Sequence, residues 1–148
     1  MDAKSAGTEN TLRINRVFAA PREKVFRAWT EPEALKKWFA PSDDHSLPDA
    51  EVDLRAGGRY RIAIQDPEGK RFHLGGTFRE VRPPEKLVYT WAWEGDADIG
   101  ETLVTVEFRD LGASTEVALT HEFLPDQKAF KNHEWGWKGA LDRLLKTL

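Results

Sequence analysis

The sequence predicts an α+β fold in which seven antiparallel strands pack against a long C-terminal helix. Apolar and polar residues alternate with a period of two in seven segments, the pattern of half-buried strands. Glycine, proline and aspartate separate most of these segments, so the strands are expected to be joined as hairpins. Between 126 and 147 the apolar residues recur at steps of three, four and seven, which indicates an amphipathic helix lying across the sheet.

The first strand is predicted in TLRINRVFAA, and two short helices are expected before the next strand. PREKVFRAWT starts with proline, a favoured first helical residue, and its apolar residues share one helical face. The second helix is expected to begin near Thr30 and Glu33, which have the spacing of a capping box. Its apolar face contains Leu35, Trp38 and Phe39.

The stretch APSDDHSLPD is rich in turn residues and is predicted to be a loop, with Asp43, Asp44 and His45 in a solvated turn. Beyond it, from residue 50, the period of two predicts six further strands. These segments are EVDLR, RYRIAIQ, RFHLGGTFREV, KLVYTWAW, ETLVTVEFRD and STEVALTHEF. The pair Gly75-Gly76 lies inside one of them, where it predicts a bulge or a bend.

The length of 148 residues fits one domain, expected over 11–148 after a loose tail at 1–10. The absence of cysteine excludes disulfides and thiolate chemistry. The polar N-terminus lacks the apolar core of a signal peptide, and no apolar run is long enough to span a membrane. These features favour a cytoplasmic protein. The formal charge of −3 disfavours a nucleic-acid partner, which usually requires a basic excess.

Six tryptophans and eight phenylalanines are more large rings than a small core needs. Two interpretations remain open, a solid aromatic core and a ligand cavity between sheet and helix. Under the second, the alternation in the strands and the helical spacing select a set of inward residues as the cavity wall. They are Trp38, Phe39, Tyr60, Ile62, Phe78, Trp91, Trp93, Val106, Leu119, His121, Phe123, His133, Trp137 and Leu141.

The C-terminal stretch HEFLPDQKAFKNHEWGWKG contains two His-Glu pairs, which suit a metal site, acid–base chemistry or a pocket wall. On the strand STEVALTHEF, His121 shares an apolar face with Leu119 and Phe123, so its side chain is expected to point inward. On the helix, His133 lies four residues before Trp137 and leans toward the apolar stripe. Both histidines are therefore predicted to be part of the wall.

Spacing argues against a metal at these histidines. A zinc-protease helix needs His-Glu-x-x-His, whereas Trp137 and Pro125 stand four residues after His133 and His121. The two rings could still meet as two ligands, but no third inward ligand is apparent. We therefore expect no metal and no cofactor. Phosphate-binding glycine motifs and a Gly-x-Ser-x-Gly elbow are also absent from the sequence.

Several motifs carry a family resemblance. DLRAGGRY at residues 53–60 is the most specific, and GTFREV, PEKL and TW follow it in order. Together with FAAPREKVFRAWTEPEALKKWF and HEWGWKGALDRL, they resemble the activator-of-heat-shock-protein-90-ATPase homologue family, within the START and birch-pollen-allergen-like superfamily. The resemblance covers nearly all of 12–148. It implies a helix-grip fold, in which a curved sheet wraps the C-terminal helix and two short helices close one end.

The resemblance also implies a cavity between sheet and helix, which relatives use for lipids, hormones or polyketides. The eukaryotic activators that gave the family its name carry an additional N-terminal chaperone-binding domain. The chain is too short to contain that domain. A chaperone partner is therefore disfavoured, and it is kept as an alternative.

Three hypotheses about function follow. The leading one is a binding module that holds a hydrophobic or aromatic small molecule between sheet and helix, with no assigned reaction. The second is an enzyme of the cyclase or hydrolase type that uses an inward histidine as acid–base, although no inward carboxylate orients either ring. The third is a protein-interaction module, which includes chaperone regulation. A homodimer is left open.

Overall fold

The computed structural model describes residues 10–148, so the predicted tail at 1–10 lies outside the described residues except for Asn10. It contains seven strands and three helices in the expected order. Their bounds are β1 Leu12–Phe18, α1 Arg22–Thr30, α2 Pro32–Trp38, β2 Ser46–Val52, β3 Arg59–Gln65, β4 Arg71–Arg82, β5 Lys86–Trp93, β6 Thr102–Asp110, β7 Thr115–Glu122 and α3 Gln127–Thr147.

The strands form one antiparallel sheet in the order β1-β7-β6-β5-β4-β3-β2. This meander is interrupted only where β1 pairs with β7, because the two helices between β1 and β2 carry the chain to the opposite edge. The curved sheet grips α3, so the predicted helix-grip fold is confirmed. Within the described part of the chain, no helix is both long and apolar enough to cross a membrane.

Helix α3 lies across the sheet because its apolar residues form one stripe. Its N-cap is Asp126, whose carboxylate accepts a hydrogen bond from the Ala129 backbone N–H at 2.8 Å. The buried residues follow at helical spacing, as the sequence predicts. They are Ala129, His133, Trp137, Ala140, Leu141 and Leu144.

Two local predictions in the N-terminal third are wrong. Residues 46–49 of the predicted loop belong to β2, in which Ser46 pairs with Gln65 at the edge of the sheet. The capping box is absent, since the Thr30 hydroxyl donates instead to the Phe26 carbonyl at 3.0 Å. Thr30 is still the last residue of α1, and Glu31 is the N-cap of α2 without a side-chain cap.

The irregularity predicted at Gly75-Gly76 lies further along β4. The pairing of β4 with β5 shifts register between Phe78 and Glu80. Gly76 serves a different purpose, because a Cβ atom there would collide with the backbone carbonyl of Thr90 on β5. The glycine is therefore needed for close approach of two strands, and the inward alternation continues past it to Phe78, which is 5% exposed.

Candidate functional site

The interior between the sheet and the helices is filled on one side by aromatic rings. Trp29 of α1 lies with its ring centroid 4.7 Å from that of Trp38 and 6.2 Å from that of Trp137, the latter stacked. The indole N–H groups of this cluster have acceptors, since Trp38 donates to the Ala28 carbonyl at 2.9 Å. Trp29 donates to the Tyr89 hydroxyl at 3.3 Å. We call this region the sealed core, defined by Trp29, Trp38, Phe108, His121 and Leu141.

His121 has both ring nitrogens engaged inside the sealed core. The Trp137 indole N–H donates to Nδ1 at 3.1 Å, so the proton of the neutral ring is on Nε2. The Nε2–H donates to the Thr102 hydroxyl at 2.7 Å, and that hydroxyl donates to the Trp91 carbonyl at 3.1 Å. Burial lowers the pKa of His121 well below its ordinary value, and the neighbouring His133 lowers it further. The ring is therefore a neutral link in a hydrogen-bond chain.

His133 is the second wall histidine, with its ring centroid 5.1 Å from that of His121. The Trp93 indole N–H donates to His133 Nε2 at 3.0 Å, which places the ring proton on Nδ1. That Nδ1–H donates to the Ala129 carbonyl at 2.7 Å. Burial lowers the pKa of His133, while the bond to Ala129 and the carboxylate of Asp96 act in the opposite direction. Both histidines thus have each nitrogen occupied in the neutral state.

On the other side of α3 the interior opens into a cleft of about 600 Å³. Its floor is formed by β3, β4 and β5 and its opposite wall by α3, with the segment after α2 closing one end. The apolar wall residues are Phe39, Ala40, Pro41, Ile64, Trp91, Trp93, Ile99, Trp137 and Ala140. The helix wall includes Gly136, and a Cβ atom there would have nothing within 4 Å beyond the adjoining residues and backbone of α3.

The mouth of the cleft is amphipathic. Phe72 and Trp135 line it while remaining 40% and 60% exposed. Lys70 lies 5.0 Å from the centroid of the Phe72 ring, and neither Lys70 nor Arg71 forms an ion pair with a described carboxylate. Glu94, also at the mouth, is paired with Arg61 at 2.7 Å, which lowers the pKa of the Glu94 carboxyl.

A small void of about 30 Å³ lies deeper in the molecule. Phe39 and Trp91 line both this void and the cleft, so their rings separate the two spaces. Their centroids are 5.9 Å apart. The remaining lining residues of the void are Trp29, Leu35, Val52, Tyr60, Ile62, Phe78, Leu87 and Tyr89. The Tyr60 hydroxyl donates to the Thr90 carbonyl at 2.6 Å, so the void offers few free polar groups.

Comparison with known proteins identifies the family of the chain. The model of the Activator of Hsp90 ATPase homolog 1-like protein family matches residues 19–148. The chain belongs to this family. No curated protein matches the chain.

Solved structures agree with this assignment to the AHSA1 family. A Chromobacterium violaceum protein is 31% identical over 94% of this chain and 96% of its own, with a TM-score of 0.86. An AHSA1 protein from Silicibacter pomeroyi is 26% identical over 93% and 96%, with a TM-score of 0.82. An Hsp90 activator from Plasmodium falciparum is 28% identical over 78% and 74%, with a TM-score of 0.61.

The wall residues expected from the sequence fall into three groups in this AHSA1 family member. Those on the cleft are Phe39, Trp91, Trp93, His133 and Trp137. Those on the small void alone are Tyr60, Ile62 and Phe78. Those buried among other side chains, on neither space, are Trp38, Val106, Leu119, His121 and Leu141. The apolar alternation in the sequence therefore identifies inward residues, but it does not distinguish core residues from cleft residues.

The expectation for Phe123 is wrong. Its side chain is 61% exposed, and its φ of 69° is in the left-handed region. β7 ends at Glu122, so the strand alternation that places His121 inward no longer applies one residue later. Leu124, at 2% exposure, takes the buried position instead.

Sequence reasoning missed several cleft residues. His45 lies on the cleft although its segment was predicted to be a solvated turn, and its Nδ1 is 2.8 Å from the Asp44 carboxylate. Gly136 and Ala140 have no large side chain, so a search for large inward residues passes over them. Their spacing of four residues, on the same helix face as Asn132, is the signal that was available.

The described residues contain no group of three His, Cys, Asp or Glu side chains placed to hold a metal ion. His121 and His133 do lie together, as the sequence allowed, but each lone pair accepts an indole N–H. A metal or a transferred proton at these rings would first require one of those hydrogen bonds to break. Their arrangement stabilises the wall in a neutral state.

Proposed function

We propose that this AHSA1 family member binds a hydrophobic or aromatic small molecule in the cleft between the sheet and α3, in the cytoplasm, and we assign it no reaction. The observation that carries the proposal is the cleft itself, with a volume of about 600 Å³ and four large rings on its walls. Ligand sites commonly have volumes of roughly 300–1,000 Å³ and mostly apolar walls with a few polar groups. The rings are Phe39, Trp91, Trp93 and Trp137.

The composition of α3 supports the same proposal. A helix that packs on a sheet usually presents large side chains to it, yet α3 has Gly136 and Ala140 on the cleft. Glycine within a helix is unfavourable by about 0.5–1 kcal/mol relative to alanine. Because no atom beyond the adjoining residues and backbone of α3 lies within 4 Å of a Cβ at Gly136, close packing within the protein does not require this glycine. A ligand that contacts the helix backbone at this position would require a glycine there.

The test is thermal unfolding of the purified protein with a panel of fatty acids, sterols, flavonoids and polyketide-like aromatic compounds. A ligand at 100 times its Kd that binds only the folded state adds about 2.7 kcal/mol, which raises Tm by several degrees in a domain of this size. The matched variant is Gly136→Leu, whose side chain would occupy the cleft. We expect it to fold, because leucine favours helix, and to lose the ligand-induced rise in Tm.

A control variant on the same helix is Lys138→Leu, which adds a similar side chain at an exposed position away from the cleft. It should retain the full ligand-induced shift. A shift in Tm that is the same for wild type, Gly136→Leu and Lys138→Leu would place binding elsewhere and contradict the proposal. A panel in which no class of compound raises Tm would also count against it.

The family description and the Plasmodium falciparum Hsp90 activator favour a second candidate, a module that regulates the chaperone ATPase. We would measure ATP hydrolysis by purified Hsp90 with and without the chain at micromolar concentration. Stimulation that survives in Gly136→Leu would support an interaction role independent of the cleft. Unchanged hydrolysis together with no co-purification would remove this candidate.

The acid–base enzyme proposal receives less support, because both nitrogens of His121 and of His133 are occupied by hydrogen bonds. A general base needs a free lone pair within reach of its substrate. If a panel compound were converted to product, His133→Ala would test this alternative, since His133 is the histidine on the cleft. Loss of turnover with the fold intact would support it.

A further inference from the structure

Three tryptophans surround the two wall histidines, and only two of them have an acceptor. Trp93 Nε1 donates to His133 and Trp137 Nε1 donates to His121. Trp91 is 5% exposed, and its Nε1 is buried without a hydrogen-bond partner among the described residues. A buried donor without an acceptor is unfavourable and uncommon in native proteins.

Rearrangement of the neighbouring rings does not provide an acceptor for the Trp91 indole N–H. The rings nearest to Trp91 are His121 at 5.0 Å, Trp137 at 5.2 Å, Trp93 at 5.7 Å, Phe39 at 5.9 Å and His133 at 6.0 Å between centroids. Phenylalanine and tryptophan offer no lone pair, and each histidine already accepts an indole N–H. Giving Trp91 one of those histidines would leave another tryptophan without a partner. No neighbouring ring therefore supplies the missing acceptor.

The ring of Trp91 is part of the cleft wall, so a molecule in the cleft is the available source of that acceptor. We propose that the ligand of the cleft carries an uncharged hydrogen-bond acceptor, such as a carbonyl oxygen, that accepts the Trp91 indole N–H. This inference rests on the proposed function and narrows its ligand class to neutral apolar carbonyl compounds. The cleft binds the apolar body, and Trp91 orients it.

The acceptor is expected to be uncharged, because the side chains that surround Trp91 carry no charge. Its ring neighbours are apolar or neutral, and burying an ionised carboxylate among them without a cation is strongly unfavourable. The available cations, Lys70 and Arg71, are exposed at the mouth of the cleft. A carboxylate ligand would be held there, with its charge in water, and would leave Trp91 unpaired.

Access to the indole nitrogen requires a small movement, because protein atoms cover it in the structure. The void of about 30 Å³ behind Phe39 and Trp91 provides the room for it. Both rings border this void on one side and the cleft on the other, so the void is adjacent space into which either ring would turn. A ligand bound at Trp91 would therefore also reduce the separation between the two spaces.

The experiment follows the indole N–H signals of the six tryptophans by NMR on protein labelled with ¹⁵N. The Trp91→Phe variant assigns the Trp91 signal by its disappearance. Three probes of matched shape are acetylnaphthalene, ethylnaphthalene and naphthoate, which carry a ketone, no acceptor and a carboxylate. We expect acetylnaphthalene alone to move the Trp91 proton signal downfield, the direction that hydrogen bonding produces, while ethylnaphthalene binds without doing so.

Affinities measured by calorimetry provide the second readout. Trp91→Phe keeps a ring in place and removes the donor, so we expect acetylnaphthalene to bind about tenfold more weakly and ethylnaphthalene to bind as before. The control is Phe123→Leu, a change at an exposed ring that does not line the cleft. It should leave the preference for the ketone over the hydrocarbon unchanged.

The outcomes separate this inference from the proposed function. If the probes bind the wild type, lose affinity in Gly136→Leu, and yet neither move the Trp91 signal nor respond to Trp91→Phe, this inference is wrong and the proposed function stands. If naphthoate moves the Trp91 signal as far as the ketone does, the restriction to uncharged acceptors is overturned. If neither the probes nor the wider panel bind, the proposed function fails and takes this inference with it.

Discussion

The two sides of helix α3 differ in how tightly they pack against the rest of the protein. Away from the cleft the helix presents Leu141 and Leu144, both 0% exposed, and the Trp29 ring of α1 packs against Phe108 and Trp137. Toward β3, β4 and β5 it presents Gly136 and Ala140, and a cleft of about 600 Å³ remains. Large rings are present on both sides of α3. The open space therefore results from the small residues on one face of the helix.

The histidines follow the same division. His121 is 0% exposed and belongs to the sealed core, whereas His133 is 7% exposed and lines the cleft. Each accepts a hydrogen bond from one tryptophan, so the two regions meet at a pair of neutral imidazole rings 5.1 Å apart. The three predictions below test whether the sealed core and the cleft contribute to stability as unequally as this geometry implies.

The largest expected difference is between two tryptophans. Trp38→Ala should lower the free energy of unfolding by about 3–5 kcal/mol, because it empties a 0% exposed site and removes the donor to the Ala28 carbonyl. Trp135→Ala, the same change at a ring 60% exposed on the cleft mouth, should change it by less than about 0.5 kcal/mol. Urea denaturation measures both.

Comparable losses in these two variants would mean that the cleft wall is packed as tightly as the sealed core. A small loss in Trp38→Ala would mean that the rings of α1 and α2 rearrange to fill the space. Either result would contradict the division described above. The m value should be unchanged in both variants, which shows that the comparison concerns the folded state.

A smaller effect of opposite sign is expected at two glycines three residues apart on α3. A Cβ atom at Gly139 would collide with the backbone carbonyl of Pro41, so Gly139→Ala should destabilise by about 1–3 kcal/mol. Gly136→Ala places its methyl group in open cleft and should stabilise by about 0.5–1 kcal/mol through helix propensity. Differential scanning calorimetry would show Tm falling in one variant and rising in the other.

The pair is a sharp test because the two variants share the residue change, the helix and nearly the same backbone. Destabilisation by both would indicate that the helix wall at Gly136 is already in contact with something in the absence of ligand. Stabilisation by both would indicate that α3 can move away from Pro41, and that the segment after α2 does not fix the end of the cleft.

Most of the architecture was predictable from the sequence, and the reason is periodicity. Each strand has one buried face and α3 has one apolar stripe, so alternation and helical spacing identify them directly. The start of β2 was missed because SLPDAEV is an edge strand with burial only at Leu47 and Ala50. Phe123 was misplaced because the alternation of apolar residues does not reveal that the strand ends before a residue with positive φ.

The site was predictable only in part, for a different physical reason. Alternation shows that a residue such as Trp91 or Leu119 points inward, but the volume left beside it depends on residues that are distant in sequence. The cleft exists because Gly136 and Ala140 are small, and small residues give no signal when large inward residues are sought. The Trp–His hydrogen bonds depend on β5, β7 and α3 converging, which no local pattern contains.

The third prediction concerns pH and tests the two neutral histidines. Burial lowers the pKa of His121 and of His133 below the ordinary value of 6.5. Below about pH 6.5 the unfolded chain therefore takes up protons at these positions that the folded chain does not. Stability should be constant above that pH with respect to these groups and should fall as the pH is lowered from 6.5 toward 5. The slope approaches about 1.4 kcal/mol per pH unit for each histidine that stays neutral.

The variant that isolates the sealed core is His121→Gln, because glutamine can accept from Trp137 and donate to Thr102 without titrating. Urea denaturation at pH 7, 6 and 5 should show a shallower fall in this variant than in wild type, with the remaining slope due to His133. An equal slope in both proteins would mean that His121 is protonated as readily in the folded chain as in the unfolded chain. The sealed core would then be accessible to charge, and its distinction from the cleft would not hold.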